Sequence, residues 1–233
     1  MFRSLYTAAA GAVAQQQGID VTANNLANVS TQGYRPDRAT FADLVRTGVR
    51  SGEDAPTTGS GAKLDGTDTL YGASAGLLKT GRPLDFALTD SRSFFAVRTA
   101  GGVRYTKAGA FAESAGADGR FYLTDAQGAP VLDARGQRIE VADGEPAAGP
   151  GVFTFPNLGG LRKEGDNDFA PTALSGQAEP AAGTEVKRGY LEGSGSDFVD
   201  GMSELIAQER AFQLDTRMVQ MSDEVAQTVN SLR

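Results

Sequence analysis

Residues 1–34 read MFRSLYTAAAGAVAQQQGIDVTANNLANVSTQGY, and the spacing of their apolar members decides the fold. Phe2, Leu5, Ala9, Ala12, Gln16, Ile19, Ala23 and Leu26 recur at steps of three and four. That is the a/d seam of a helix lying along another helix, not the alternation of a strand. Three of the eight members are alanine, so the partner can approach closely. The pattern predicts a helix ending near Ser30–Gly33, because Gly33 suits the left-handed position past a helix end and Pro36 cannot continue it.

The other end of the chain repeats the theme. Ser196 or Asp197 can cap a second helix, and Asp197 and Asp200 favour its positive N-terminal end. Its pattern runs to about Ser231, some 34 residues and roughly 50 Å of helix. One stripe holds Ala207, Ala211, Leu214, Met218, Met221, Val225, Thr228 and Leu232. A second holds Phe198, Met202, Leu205, Phe212, Val219 and Ala226. Two stripes imply two neighbours, one of them the N-terminal helix and the other a helix of a second subunit. Charge agrees. Residues 1–50 carry five arginines against three aspartates, net +2, and residues 197–233 seven acids against three arginines, net −4. Opposite signs favour association, although single surface pairs contribute little.

The segment between the ends reads differently. Residues 45–80 are rich in Gly, Ser, Thr and Asp with little period, as in a long loop or arm. Short apolar runs then alternate with turns: Phe86–Leu88, Phe94–Val97, Val103–Tyr105, Phe121–Leu123, Val131–Leu132 and Ile139–Val141, broken at Gly101-Gly102, Asp118-Gly119 and Asp143-Gly144. Asp125-Ala-Gln-Gly128 returns eight residues later as Asp133-Ala-Arg-Gly136. A calcium loop would need more acids in a different order, and the spacing fits an antiparallel β module. The layout is an α+β protein. Residues 1–44 form an N-terminal helix and connector, 45–80 a loop or arm, 81–186 an antiparallel β module, and 187–233 a helix that pairs with 1–44. The long terminal helices make a coiled-coil-like discontinuous domain into which the β module is inserted.

The absences are informative. The chain has 233 residues, net charge −7, and no Cys, His or Trp. Thiolate catalysis, most zinc sites, the usual neutral-pH general base and a disulfide framework are excluded. No basic patch points to nucleic acid, and no run of about 20 apolar residues points to membrane insertion. Arg3 followed by the Ala-rich stretch to Ala14 imitates a weak signal peptide, but the helical period continues beyond it. Gly72-Ala-Ser-Ala-Gly76 matches a nucleophile-elbow pattern, yet no Ser-His-Asp triad can be built without histidine. No cofactor or metal is expected.

Several stretches together resemble one family. Ala23-Asn-Asn-Leu-Ala-Asn-Val-Ser-Thr-Gln-Gly-Tyr34 is similar to the N-terminal signature of flagellar basal-body rod and hook proteins. Arg3–Gly11 and Ala14-Gln-Gln16 look like its rod branch. Thr80–Leu88, Phe94–Val97 and Tyr105–Phe111 resemble the start of its β module. Gly189-Tyr-Leu-Glu-Gly-Ser194 and Glu209-Arg-Ala-Phe212 resemble its C-terminal helix motif. The matches touch both ends and the middle in the family's order.

The resemblance implies a structural subunit of the basal-body rod, not an enzyme. Such a subunit leaves the cell through the flagellar export apparatus without a cleaved signal peptide. It polymerises helically with itself and with other axial proteins, rod and hook subunits, into the torque-transmitting tube and export channel across the periplasm. On that reading the assembly interface comprises Leu5, Ala9, Ala12, Ile19, Ala23, Asn24, Asn25, Leu26 and Asn28 at one end. At the other it comprises Met202, Leu205, Phe212, Leu214, Met218, Met221 and Val225. Asn24, Asn25 and Asn28 are expected to bond between subunits or to cap the helix, since an amide both donates and accepts. The stretch from Phe41 to Thr80 is short for a distal rod member, the opening residues are distal-like, and Ser91-Arg-Ser-Phe94 lacks the glycines common before the paired aromatics. Proximal, distal and hook-like positions stay open. The alternative class is a secreted adhesin-like or scaffold protein with a coiled-coil stalk.

Overall fold

The computed structural model describes residues 2–44, 47–48, 57–73, 75–165, 167–181 and 183–232. They fall into two compact units. Unit 1 holds residues 1–27, 37–68 and 197–233, and unit 2 holds 28–36 and 69–196.

Unit 1 is built on two helices. Helix α1 runs Phe2–Ala27 and α2 runs Phe198–Ser231. Asp197 is the cap of α2, its carboxylate accepting from the Val199 and Asp200 amides at 2.8 and 3.0 Å, which satisfies two of the donors a helix start leaves open. The helices run antiparallel. Gly201 lies against Leu26, Gly18 beside Gln208, and Gly11 beside the Asp215 carboxylate. Helix α1 stops about a turn sooner than its period predicts. The Asn28 carbonyl and side-chain oxygen accept from the Thr31 amide and hydroxyl at 3.1 and 3.0 Å, a local alternative to further helical bonds.

A two-stranded arm completes unit 1. Strand β1 (Asp37–Asp43) pairs with β2 (Ala62–Thr69). Residues 62–69 therefore form a strand inside the stretch read as loop. Their inward members alternate with polar outward ones, but Gly66 and the short side chains keep that period faint. Of the 45–80 segment, residues 45, 46, 49–56 and 74 lie outside the described residues.

Unit 2 is the β module. Five strands, β5 (Phe94–Thr99), β6 (Gly102–Thr106), β10 (Val152–Thr154), β11 (Arg162–Glu164) and β12 (Asp168–Ala170), lie in the order β11-β12-β6-β5-β10, with Glu179–Pro180 at the edge. A second sheet places β8 (Phe121–Thr124) between β7 (Ala112–Ala115) and β9 (Glu140–Ala142). Two further pairs are β3 (Leu77–Lys79) with β14 (Tyr190–Glu192), and β4 (Phe86–Leu88) with β13 (Val186–Arg188). All these pairings are antiparallel.

Strand β5 organises the core because both its faces are buried. Phe95 and Val97 join Phe86, Phe111, Leu123 and Ile139 on one side. Phe94 and Ala96 join Tyr71, Tyr105, Phe155 and Phe169 on the other. Side chains alternate across a strand, so one unbroken apolar run feeds two cores. Edge-to-face contacts pack them, with Phe94–Phe169 at 5.3 Å and Tyr105–Phe155 at 4.8 Å between ring centres.

The eight-residue repeat is a pair of matched turns. Asp125 Oδ1 accepts from the Gln127 and Ala129 amides at 2.9 and 2.7 Å, and Asp133 Oδ1 from the Arg135 and Gln137 amides, both at 2.8 Å. These carboxylate oxygens are engaged by their own loop backbone. The Gly72–Gly76 pattern is followed by strand β3 and not by the helix a nucleophile elbow requires; its Ser74 lies outside the described residues.

Candidate assembly surface and the knot between the terminal motifs

Helix α2 turns one apolar stripe inward and leaves the other in water. Gly201, Leu205, Gln208, Phe212, Asp215, Val219, Ser222 and Ala226 are half-buried at alternating steps of four and three, the repeat of a helix against a helix. They carry most of the stripe that holds Leu205 and Phe212; Met202 beside them is half-buried too. On the other stripe Leu214 is 62% exposed, Met218 52%, Met221 58%, Val225 52% and Leu232 82%. Apolar side chains scattered singly are ordinary on a surface; these follow one line along the helix.

Helix α1 buries a face about a third of a turn from the apolar line read in its sequence. Its deepest positions are Ala14, Gly18 and Thr22, with Gly11 and Asn25 half-buried in the same file. Small residues there let α2 and the arm come close. A Cβ on Gly18 would stand 3.2 Å from the Phe41 ring, and one on Gly11 3.0 Å from Asp215. A search for hydrophobic residues passes over glycine and threonine, which is why this file was not read. Of the expected interface residues on α1, Leu5, Ala9, Ala12, Ile19 and Leu26 are half-buried and Ala23 and Asn24 exposed.

Asn25 and Asn28 bond within the chain. Asn25 Nδ2 donates to the Asp37 carbonyl at 2.6 Å and its Oδ1 accepts from the Asp37 amide at 2.9 Å. The side-chain amide thereby imitates a strand neighbour and fastens the start of β1. Asn28 closes the turn after α1, and in unit 2 its carbonyl accepts from Ser194 Oγ at 2.8 Å.

That last bond is part of a knot that sequence reasoning missed. In unit 2 the segment after α1 and the Gly189–Ser194 motif hold each other. The Gly33 amide donates to the Glu192 carbonyl at 3.0 Å, and the Gly195 amide to the Tyr34 carbonyl at 2.9 Å. Beneath them Arg35 pairs with Glu192, both nearly dry. Lys107 Nζ lies 3.5 Å from the same carboxylate and donates to the Asp90 carbonyl at 2.9 Å. Lys163 Nζ donates to the Arg35 carbonyl at 2.6 Å and stands 4.7 Å from the centre of the Tyr34 ring. Burial pulls Lys107 down from 10.5 to about 8, with Glu192 pulling the other way and Arg35 adding to the fall. The glycines are dictated by space. Gly33 has φ +67°, and a Cβ there would meet the Lys107 carbonyl carbon at 2.6 Å. The one signal available was a charged residue at each motif, Arg35 just after Ala23–Tyr34 and Glu192 inside Gly189–Ser194.

Among the described residues no group of three or more His, Cys, Asp or Glu side chains is placed to hold a metal, and no helix is long and apolar enough to cross a membrane. A cleft of about 700 Å³ in unit 2 is lined by Thr31, Gln32, Arg104, Asp125, Glu164 and Asp168. Arg104 is paired with Glu164 at 2.7 Å, and burial pushes the Asp168 carboxyl up.

The two ends tied by the knot are the two stretches that family models match. Residues 5–35 match "Flagella basal body rod protein" and residues 187–232 match "Flagellar basal body rod FlgEFG protein C-terminal". The whole chain is 34% identical to the whole of the flagellar basal-body rod protein FlgG of Bacillus subtilis. It is 30% identical to FlgG of Agrobacterium fabrum and 28% to the rod protein FlgF of Mesorhizobium japonicum, in each case across 98% of both chains. The chain belongs to the flagellar basal-body rod protein family. In this rod-family chain the matched C-terminal stretch contains both the knot's Glu192 and the whole exposed stripe of α2. The secreted-scaffold alternative gains nothing from these relatives.

Proposed function

We propose that this structural rod subunit polymerises helically through its terminal helices into the axial tube of the flagellar basal body. The observation that carries the reading is the α2 stripe from Leu214 to Leu232, left in water while the stripe that holds Leu205 and Phe212 packs against α1. Heptad packing of α1 on α2, as in a coiled coil, prepares the unit, and the exposed stripe then meets other axial subunits. The inserted β module belongs on the outside of such a tube. Torque transmission needs no catalytic group, which fits a chain without Cys or His. Passage through the export apparatus, an unremoved N-terminus and a position across the periplasm belong to the same reading. Its test is mass spectrometry of detergent-extracted basal bodies. The chain is expected in fixed ratio to the other axial proteins, and its absence from intact basal bodies would overturn the proposal.

A further inference from the structure

Unit 1 carries an open trough of about 420 Å³ where α1 meets the arm. Its walls include Tyr6, Val13, Leu44 and Leu64, and Ala10 and Ala62 line its base. Tyr6 is 71% and Val13 59% exposed. The base is shallow because the arm lies hard on the helix: a Cβ on Gly61 would come 2.9 Å from the Ala10 methyl. Lys63 is the charged group in its lining. A methyl-floored trough with apolar walls suits side chains from a helix better than a polar ligand.

The same unit carries a matching ridge. Leu214, Met218, Met221, Val225 and Leu232 span 19 residues, roughly 27 Å. The trough follows α1 from Tyr6 to Gln17, roughly 16 Å, so the Leu214–Val225 part of the ridge, the same length of helix, fills it. The ridge exposes on the order of 500 Å² of apolar surface, near the upper end of what a monomer tolerates. Lys63 at the trough, 3.3 Å from Asp65 and still half in water, and Glu224, exposed beside Val225, carry opposite charges. We infer that the trough is the acceptor for the α2 ridge of a second copy of this chain. The inference rests on the rod-subunit reading and adds its partner geometry. Because ridge and trough are different surfaces of one unit, every copy offers both, and the contact propagates as an open chain instead of closing into a twofold pair. The arm supplies Leu44, Ala62 and Leu64, so the acceptor is half helix and half arm.

The chain has no cysteine, which makes single-cysteine cross-linking clean. Full-length chains carrying Val13→Cys are co-expressed with chains carrying Leu214→Cys, Met218→Cys, Met221→Cys or Val225→Cys, in cells whose flagella depend on this protein, and isolated basal bodies are oxidised. Tyr6→Cys is the second acceptor reporter, and Leu174→Cys, 78% exposed on unit 2, measures background. The expected result is a mixed disulfide between a trough cysteine and at least one ridge cysteine, at least tenfold above the Leu174 background. Ridge cysteines that join only one another, or basal bodies that contain both chains without mixed disulfide to either trough reporter, overturn this pairing and leave the rod reading standing. Absence of the chain from basal bodies overturns both.

Discussion

Lys107 Nζ stands 3.5 Å from Glu192 Oε2 inside unit 2, and both side chains are almost entirely out of water. Burial holds the ammonium's pKa near 8 against 10.5 in an unfolded chain. Between those values the unfolded chain binds the extra proton, so raising the pH favours the folded state. Below about 8 both states carry the proton and this dependence vanishes. The expected gain across the window is about 3 kcal/mol. Denaturation of the full chain from pH 7.5 to 10 should show the unit 2 transition moving to higher denaturant, and Lys107→Met should flatten that rise. A transition that weakens steadily over this range would contradict the placement of Lys107. Above pH 10 the sign reverses for Tyr105, whose phenol burial pushes up.

The Glu192 carboxylate is shared by two buried cations, Arg35 and Lys107. Glu192→Gln leaves both charges without their anion, a loss on the order of 3 kcal/mol. Arg35→Met removes one of the stranded cations, so the double variant should be less destabilised than the two single losses added together. A double-mutant cycle in urea checks this. Strict additivity would show that the pair does not act as a unit.

Gly33 and Gly81 both have positive φ, +67° and +71°, but only Gly33 faces backbone where a Cβ would go. Gly81→Ala should therefore cost about 1 kcal/mol, the penalty of the left-handed conformation alone. Gly33→Ala must also push the Lys107–Ala108 backbone aside and should cost at least about twice as much. Thermal melts of the two variants give the comparison. Equal losses would mean that the approach of Gly33 to Lys107 is not tight.

Much of this architecture was legible because its signals are local. The period of α2, its Asp197 cap and the strand runs around Phe94–Val97 depend on neighbours within a few positions. The knot was not, since Arg35 and Glu192 are 157 positions apart and no local pattern marks an arginine as buried. The inward face of α1 was missed for another reason. Gly11, Gly18 and Thr22 pack by being small, and smallness does not register as hydrophobicity. Asn25 was read for its amide chemistry, but its chosen partner, the backbone of Asp37, depends on where β1 turns back. In the arm, β2 went unread because glycine and short polar residues pack against a helix without announcing a period.

Phe212 and Met218 lie six residues apart on α2 yet answer to different neighbours. Phe212 belongs to the half-buried file turned toward α1, while Met218 is 52% exposed. Phe212→Ala removes a ring from that packing and should destabilise unit 1 by about 2 kcal/mol, below the 3–5 of a fully buried phenylalanine because the site is only half-buried. Met218→Asp changes a side chain already half in water, so its effect on stability should stay within about 0.5 kcal/mol. Its effect on assembly should be much larger, because a carboxylate set in a dry apolar contact loses its water without gaining a partner. Circular-dichroism melts of the purified chain, set beside the amount of each variant in isolated basal bodies, separate the two roles. The expected pattern is a lowered melting temperature for Phe212→Ala, and a native melt with at least tenfold less incorporation for Met218→Asp. If Met218→Asp melted natively and also entered basal bodies at the level of the unsubstituted chain, the stripe from Leu214 to Leu232 would not be an assembly face.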